Sequence, residues 1–101
     1  MEWQWQLDGV PNLSYDVQLY DLDLFETDTA TVAAVHTAGH HLICHLSAGS
    51  YENWRSDRGA FLATDLGKNV PGWPGERWLD IRSANVQAVM LTRLDLAVTK
   101  G

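Results

Sequence analysis

The chain has a single cysteine, Cys44, so no internal disulfide can staple it. Basic residues are also few: seven Lys and Arg against thirteen Asp and Glu, for a net charge of −6. The seven are scattered, and a nucleic-acid partner, which needs a concentrated positive face, is not expected. No apolar run approaches the length that spans a bilayer, so no membrane partner is expected. Met1-Glu2-Trp3 opens without the basic start and apolar core of a secretory leader. A glycine-rich phosphate cradle and a nucleophile elbow are both missing, since Ser47-Ala48-Gly49-Ser50 is too short for either. His36, His40, His41, His45 and Cys44 lack metal-site spacing: Gly39 ends a helix between His36 and His40, and adjacent His40 and His41 point apart on a strand.

What remains is a chain of 101 residues, long enough for one small domain, with 46% apolar residues to build a core. Trp3, Trp5 and Leu7 alternate with Gln4 and Gln6, the period of a strand. Val17, Leu19 and Leu22 mark a second strand running into Asp21-Leu22-Asp23. Thr27 or Asp28 caps a helix over residues 29–38 that Gly39 ends. Residues 41–46 form a third strand, with Cys44 a buried member. Residues 51–82, punctuated by Gly59, Gly67, Pro71, Gly72, Pro74 and Gly75, read as a long irregular loop with a short helix near residues 58–62. Connections of that length are usually functional. Ser83 then caps a helix to about Thr99, with Val86, Val89, Met90, Leu94 and Ala97 on its apolar face. Strand, strand, helix, strand, long loop, helix is the order of an α/β fold with parallel strands.

In such folds ligands bind beyond the carboxyl ends of the strands. Three clusters fall there: YDLDLF (residues 20–25), SAGSYENWRSD (47–57) and WPGERWLDIR (73–82). Asp21 and Asp23, two residues apart, point to one side of a strand and can bind a sugar hydroxyl or amine, or act as turn and capping groups. Arg55 can clamp a carboxylate bidentately and orient a catalytic group, and pairing with Glu52 would hold the loop in shape. Trp54, Trp73 and Trp78 offer flat faces for a sugar ring, or packing surface. Asp80 and Arg82 alternate with Leu79 and Ile81, so both polar groups can face a pocket rim, or else cap the helix that follows.

At these segments the chain resembles glycoside hydrolase family 114, of the endo-α-1,4-polygalactosaminidase type. The resemblance rests on WQWQL (Trp3–Leu7), YDLDLFET (Tyr20–Thr27), ICHLSAGSYENWRSD (Ile43–Asp57), LGKNVPGWPGERWLDIR (Leu66–Arg82) and RLDLAVTKG (Arg93–Gly101), in order along nearly the whole chain. His45 stands where the family pattern would have an aromatic.

The resemblance implies a TIM (β/α)8 barrel acting on polymers rich in α-1,4-linked galactosamine, in a family whose members are typically secreted or surface-associated. A complete barrel takes roughly 250 residues, so residues 1–101 are expected to be its N-terminal part: about three strands, a long irregular loop and a C-terminal helix. Glycosidase chemistry uses two carboxyl groups and needs no metal or organic cofactor. The resemblance puts both carboxyls beyond this chain, so no residue here is expected to be catalytic. Asp21, Asp23, Glu52, Arg55, Trp78, Asp80 and Arg82 are then expected on the substrate side. A carbohydrate-binding module without hydrolysis, an inactive truncated remnant and a barrel completed by several short chains are the competing readings. A partial barrel also leaves an open strand edge and an uncovered apolar face, so self-association through that edge is expected.

Overall fold

The computed structural model describes residues 1–101, which divide into two units: Met1–Leu46 with Leu96–Gly101, and Ser47–Asp95.

The first unit is built on a parallel sheet of β1 (Trp3–Gln6), β2 (Leu19–Asp23) and β3 (His41–His45), with β2 central. Registers run Trp3↔Leu19 to Gln6↔Leu22 and Leu19↔His41 to Asp23↔His45. Alternation along β2 sends Tyr20 and Leu22 to one face, where they are buried with Val35 of helix α1 (Thr29–Thr37). Leu13, Val17 and Leu42 fill in around this core. The Tyr20 phenol is satisfied by donating to the Tyr15 carbonyl at 2.8 Å. The opposite face carries Trp5, Asp21 and Ile43 side by side in register. Trp5 and Ile43 there remain 57% and 48% exposed.

Helix α1 starts and stops where its sequence says it should. Asp28 Oδ1 accepts the Thr31 amide at 2.8 Å, satisfying one of the free first-turn donors. At the other end Gly39 takes φ +86°, and the Gly39 and His40 amides bond back to His36 and Val35 carbonyls at 2.9 and 3.1 Å. That is the left-handed glycine stop, which a residue with a Cβ resists.

The second unit corrects the sequence reading of residues 51–82. The segment expected to be irregular holds an antiparallel sheet of β4 (Ser50–Glu52), β5 (Leu66–Asn69) and β6 (Glu76–Leu79), in the order β4-β6-β5. Strands of three or four residues are too short to show a period, and LGKN in β5 has no alternation to read. The short helix expected near residues 58–62 is two 3-10 turns, Arg58–Ala60 and Ala63–Asp65. Asp65 is the hub that ties the second of them to the following helix. It accepts from the Leu62 amide, the Asn85 amide group and the Ser83 hydroxyl at 2.9, 2.8 and 2.6 Å. Those bonds, led by Ser83, hold its carboxyl below the usual value.

Helix α2 (Ala84–Lys100) begins at Ser83, whose hydroxyl oxygen accepts the Val86 amide at 3.3 Å. Its buried stripe is Val86, Val89 and Arg93, spaced three and four residues apart. The expected apolar face therefore needs correcting, because Leu94 is exposed and an arginine takes the inward position. Arg93 is 1% exposed and reads as a clamp. Its Nε and Nη2 donate to the two Asp57 oxygens at 2.7 and 2.9 Å, and Nη1 donates to the Ser47 carbonyl at 2.8 Å. The guanidinium also lies 5.5 Å from the Phe61 ring centre.

Candidate functional site

The carboxylates singled out by sequence divide into those that hold the fold and those that face outward. Asp23 holds the fold. It is buried, and its Oδ2 accepts the Phe25 and Glu26 amides at 3.0 and 2.9 Å while its carbonyl accepts Thr27 at 3.2 Å. The same turn is gripped from its carbonyl side by Lys100, whose Nζ donates to Leu24 and Thr27 carbonyls at 2.5 and 2.7 Å. Sequence reasoning missed Lys100, since nothing local links the last helical residue to a turn 73 positions earlier.

Asp21 is differently placed, although it leans to the same side of β2. Its side chain is 21% exposed, with His45 Nδ1 at 4.0 Å from Oδ1. Oδ1 itself is closed to solvent and has no hydrogen-bond donor. Burial pushes the Asp21 carboxyl above its ordinary value, and the His45 charge works in the opposite direction.

The other histidines are dispersed. His36 donates from Nε2 to the Gly101 carbonyl at 3.0 Å, and His40 sits edge-on to Tyr20 at 5.3 Å. No three His, Cys, Asp or Glu side chains converge as a metal-holding group. Cys44 is partly buried, and that burial is the chief reason its thiol is pushed up, the reverse of what a thiolate nucleophile needs.

In the second unit the expected Glu52–Arg55 pairing is present, with both side chains buried and Arg55 Nε donating to Glu52 Oε1 at 3.1 Å. The Arg55 guanidinium lies 5.8 Å from the half-exposed Trp54 ring. Asp80 and Arg82 also pair with each other. Arg82 Nε and Nη2 donate to the two Asp80 oxygens at 2.9 and 3.0 Å, and the Arg82 amide donates to Oδ1 at 3.1 Å. This fork holds Asp80 below and Arg82 above their ordinary values.

The alternation expected through Arg82 breaks at Leu79. β6 ends there, Asp80 opens a turn closed by Ser83 N–H to Asp80 C=O at 3.0 Å, and Ile81 faces solvent rather than inward.

Trp78 is 51% exposed on β6, opposite Ser50 in register. Gly67 of β5 lies beneath it, and a Cβ there would come 3.3 Å from the Trp78 carbonyl oxygen. Two residues before Trp78, and so on the same strand face, Glu76 Oε2 accepts from Ser50 Oγ at 3.0 Å. Ser50 Oγ in turn lies 2.5 Å from Ser47 Oγ, and with the Ser50 proton on Glu76 it is Ser47 that donates. Glu76 was not among the residues assigned from sequence. Its position two residues from an exposed tryptophan on a strand was the available signal.

Similarity to known proteins follows the same segments. The profile described as glycoside-hydrolase family GH114 matches residues 1–101. Among curated proteins none matches. Among solved structures, Ega3 of Aspergillus fumigatus, crystallised in complex with galactosamine, superposes with a TM-score of 0.96 at 50% identity. That match covers 99% of this chain and 40% of the Ega3 chain. The glycoside hydrolase domain of PelA from Pseudomonas aeruginosa has the same fold at 16% identity, with a TM-score of 0.82 over 99% of this chain and 41% of that one. The chain thus spans about two fifths of the length of either structure, and its fold is the corresponding part of an α/β barrel.

Proposed function

The chain belongs to glycoside-hydrolase family GH114, and from that premise we propose that residues 1–101 form the N-terminal part of a carbohydrate-active barrel whose ligand is a galactosamine-containing polysaccharide. The observation that carries this reading is the 50% identity, over 99% of the chain, to a protein crystallised with galactosamine. Electrostatics support it: a net charge of −6 favours a polymer that bears amines. Hydrolysis of a glycosidic bond needs one carboxyl group to protonate the leaving oxygen and another as nucleophile or base. We assign neither role to a residue of this chain. Its part is on the substrate side.

Of the residues expected there, Asp21, Trp78, Asp80 and Arg82 offer surface to a ligand. Trp78 presents an exposed indole face to the C–H side of a sugar ring, with Glu76 on the same strand face as an acceptor. Asp80 and Arg82 form an exposed, charge-balanced fork in which the guanidinium keeps donors to spare. Asp23, Glu52 and Arg55 are buried, and they serve a ligand by fixing the loops that carry the others.

The first unit also leaves the sheet face of Trp3, Trp5 and Ile43 exposed. Its parallel strands β1 and β3 are both edges, and we propose self-association through them.

The test is incubation of the purified chain with de-N-acetylated α-1,4-galactosamine polymer. Binding without release of oligosaccharide, weakened by Trp78→Ala, is the expected result. Release of oligosaccharide would mean that copies assemble a working site. Absence of both binding and release would overturn the reading.

A further inference from the structure

We propose that Asp8 and Gly9 form a site of spontaneous covalent modification, where the Gly9 amide nitrogen closes on the Asp8 carboxyl and the resulting cyclic imide reopens as isoaspartate. The starting observation is a contact between neighbours. The Gly9 N–H donates to Asp8 Oδ1 at 2.9 Å, so the aspartate side chain is folded back onto the amide that follows it. Cγ is one bond from that oxygen, which brings carbon and nitrogen near the roughly 3–3.5 Å of a near-attack pair. The contact lies between adjacent residues and depends on nothing beyond the loop itself.

The loop keeps the pair aligned and open. Gly9 has no Cβ to bar the approach and takes φ +73°, a conformation that other residues resist. Gln6, the last residue of β1, donates from Nε2 to the Asp8 and Val10 carbonyls at 2.9 Å each, and its Oε1 accepts the Asn12 amide at 2.9 Å. The backbone around the pair is thus braced, while Asp8 and Gly9 are both exposed to the water that the reaction consumes. The sequence offers such a pair once. The other aspartates are followed by Val, Leu, Thr, Arg or Ile, whose side chains crowd the nitrogen, and no asparagine precedes a glycine. Asp23 shows the protected arrangement. Its Oδ2 takes the amides two and three residues on, and the Leu24 amide is spent on the His45 carbonyl at 2.8 Å.

The step balances without an oxidant or cofactor. A base takes the Gly9 amide proton, the nitrogen bonds to Cγ, and the C–OH bond of the protonated carboxyl breaks with loss of water. Water then adds to the imide. Addition at Cγ restores aspartate. Addition at the former Asp8 carbonyl leaves the chain running through Cγ and frees an α-carboxylate. The backbone gains a methylene just past the carboxyl end of β1, the pole at which an α/β barrel binds ligands. The acceptor of Gln6 Nε2 changes from a carbonyl to a carboxylate.

The experiment holds the whole chain for several weeks at physiological pH and temperature in water enriched in heavy oxygen, beside a synthetic peptide of residues 4–14. Isoaspartate resists the protease that cuts before aspartate, so conversion reads as lost cleavage between Leu7 and Asp8. An isoaspartyl methyltransferase counts it independently, by methyl transfer from S-adenosylmethionine to the freed α-carboxylate. We expect loss of that one cut, gain of heavy oxygen in the same segment, and no loss of cutting at the other aspartates. Because the loop aligns the pair, the chain should convert at least as fast as the peptide. Asp8→Glu, which would have to close a six-membered ring, should reduce methyl acceptance to background. Conversion slower than in the peptide, or spread over the other aspartates, would overturn the proposal, and that comparison needs no variant to fold. Methyl acceptance that persists in Asp8→Glu would overturn it as well.

Discussion

Replacing Arg93 should be the most damaging single change to the second unit, and the size of the effect follows from what the side chain touches. It makes two bonds to the Asp57 carboxylate and one to the Ser47 carbonyl while itself only 1% exposed. Breaking a buried pair by deleting one partner costs about 3–5 kcal/mol, because the other charge is left uncompensated. Asp57 is 26% exposed, so water takes up part of its need, and Arg93→Met should cost about 2–4 kcal/mol. A domain of this size has a total stability of only about 5–15 kcal/mol. Arg93→Lys keeps the charge but loses the fork and the planar contact with Phe61, and should cost about 1–2 kcal/mol. In urea titrations the midpoint should fall in the order wild type, Lys, Met at constant slope. A double-mutant cycle with Asp57→Asn should return a coupling of about 1–3 kcal/mol. A Met variant within about 0.5 kcal/mol of wild type, or Lys and Met variants of equal stability, would refute the clamp.

Four further predictions rest on separate features. Gly75 has φ +85° and a Cβ there would lie 2.6 Å from Asn53 Oδ1, so Gly75→Ala should cost about 1–2 kcal/mol in thermal or urea unfolding. Gly59 has open space and no positive φ, so Gly59→Ala should be neutral or stabilising by about 0.4–1 kcal/mol in the same assay. Asp65 has its folded pKa depressed below 3.8, so its contribution is complete above that ordinary value and is lost as pH falls through the lower folded one. Asp65→Asn should accordingly flatten the acid limb of a Tm-versus-pH curve while lowering Tm at neutral pH. Light scattering across a concentration series should show self-association that Ile43→Lys reduces, since Ile43 is exposed on the edge strand of the first sheet. A sharp, reversible, concentration-independent unfolding of a monomer would count against it.

The parallel half of the fold was legible because its signals are local and redundant. Alternation in WQWQL, the cap at Asp28 and the stop at Gly39 each specify an element without knowledge of the rest. The antiparallel half was not legible, because β4, β5 and β6 are held by pairing partners up to 28 residues apart rather than by their own patterns. The same split runs through the candidate site. Glu52–Arg55 and Asp80–Arg82 are neighbours in sequence, and their pairing could be anticipated from spacing. Arg93 with Asp57 and Lys100 with the Leu24–Thr27 turn are separated by 36 and up to 76 residues, and composition offers no hint of either. Ile81 shows the limit of the alternation rule. It sits where the period says inward, but the strand has already ended two residues earlier.

The acidic surplus itself is a weaker guide to a cationic ligand than its size suggests, because most of the carboxylates singled out here already have donors. Asp23 is closed by two amides, Glu52 by Arg55, Asp57 by Arg93, Asp65 by three groups, and Asp80 by Arg82. Each keeps its formal charge in the sum of −6, yet each has its hydrogen-bonding capacity largely taken. A ligand is recognised by what remains open, not by the total. Asp21 stands apart, with an enclosed oxygen that has no donor and His45 Nδ1 4.0 Å away. A site search weighted by charge would rank Asp21 and Asp23 alike, two residues apart on one strand. Weighted by unmet hydrogen bonds it separates them.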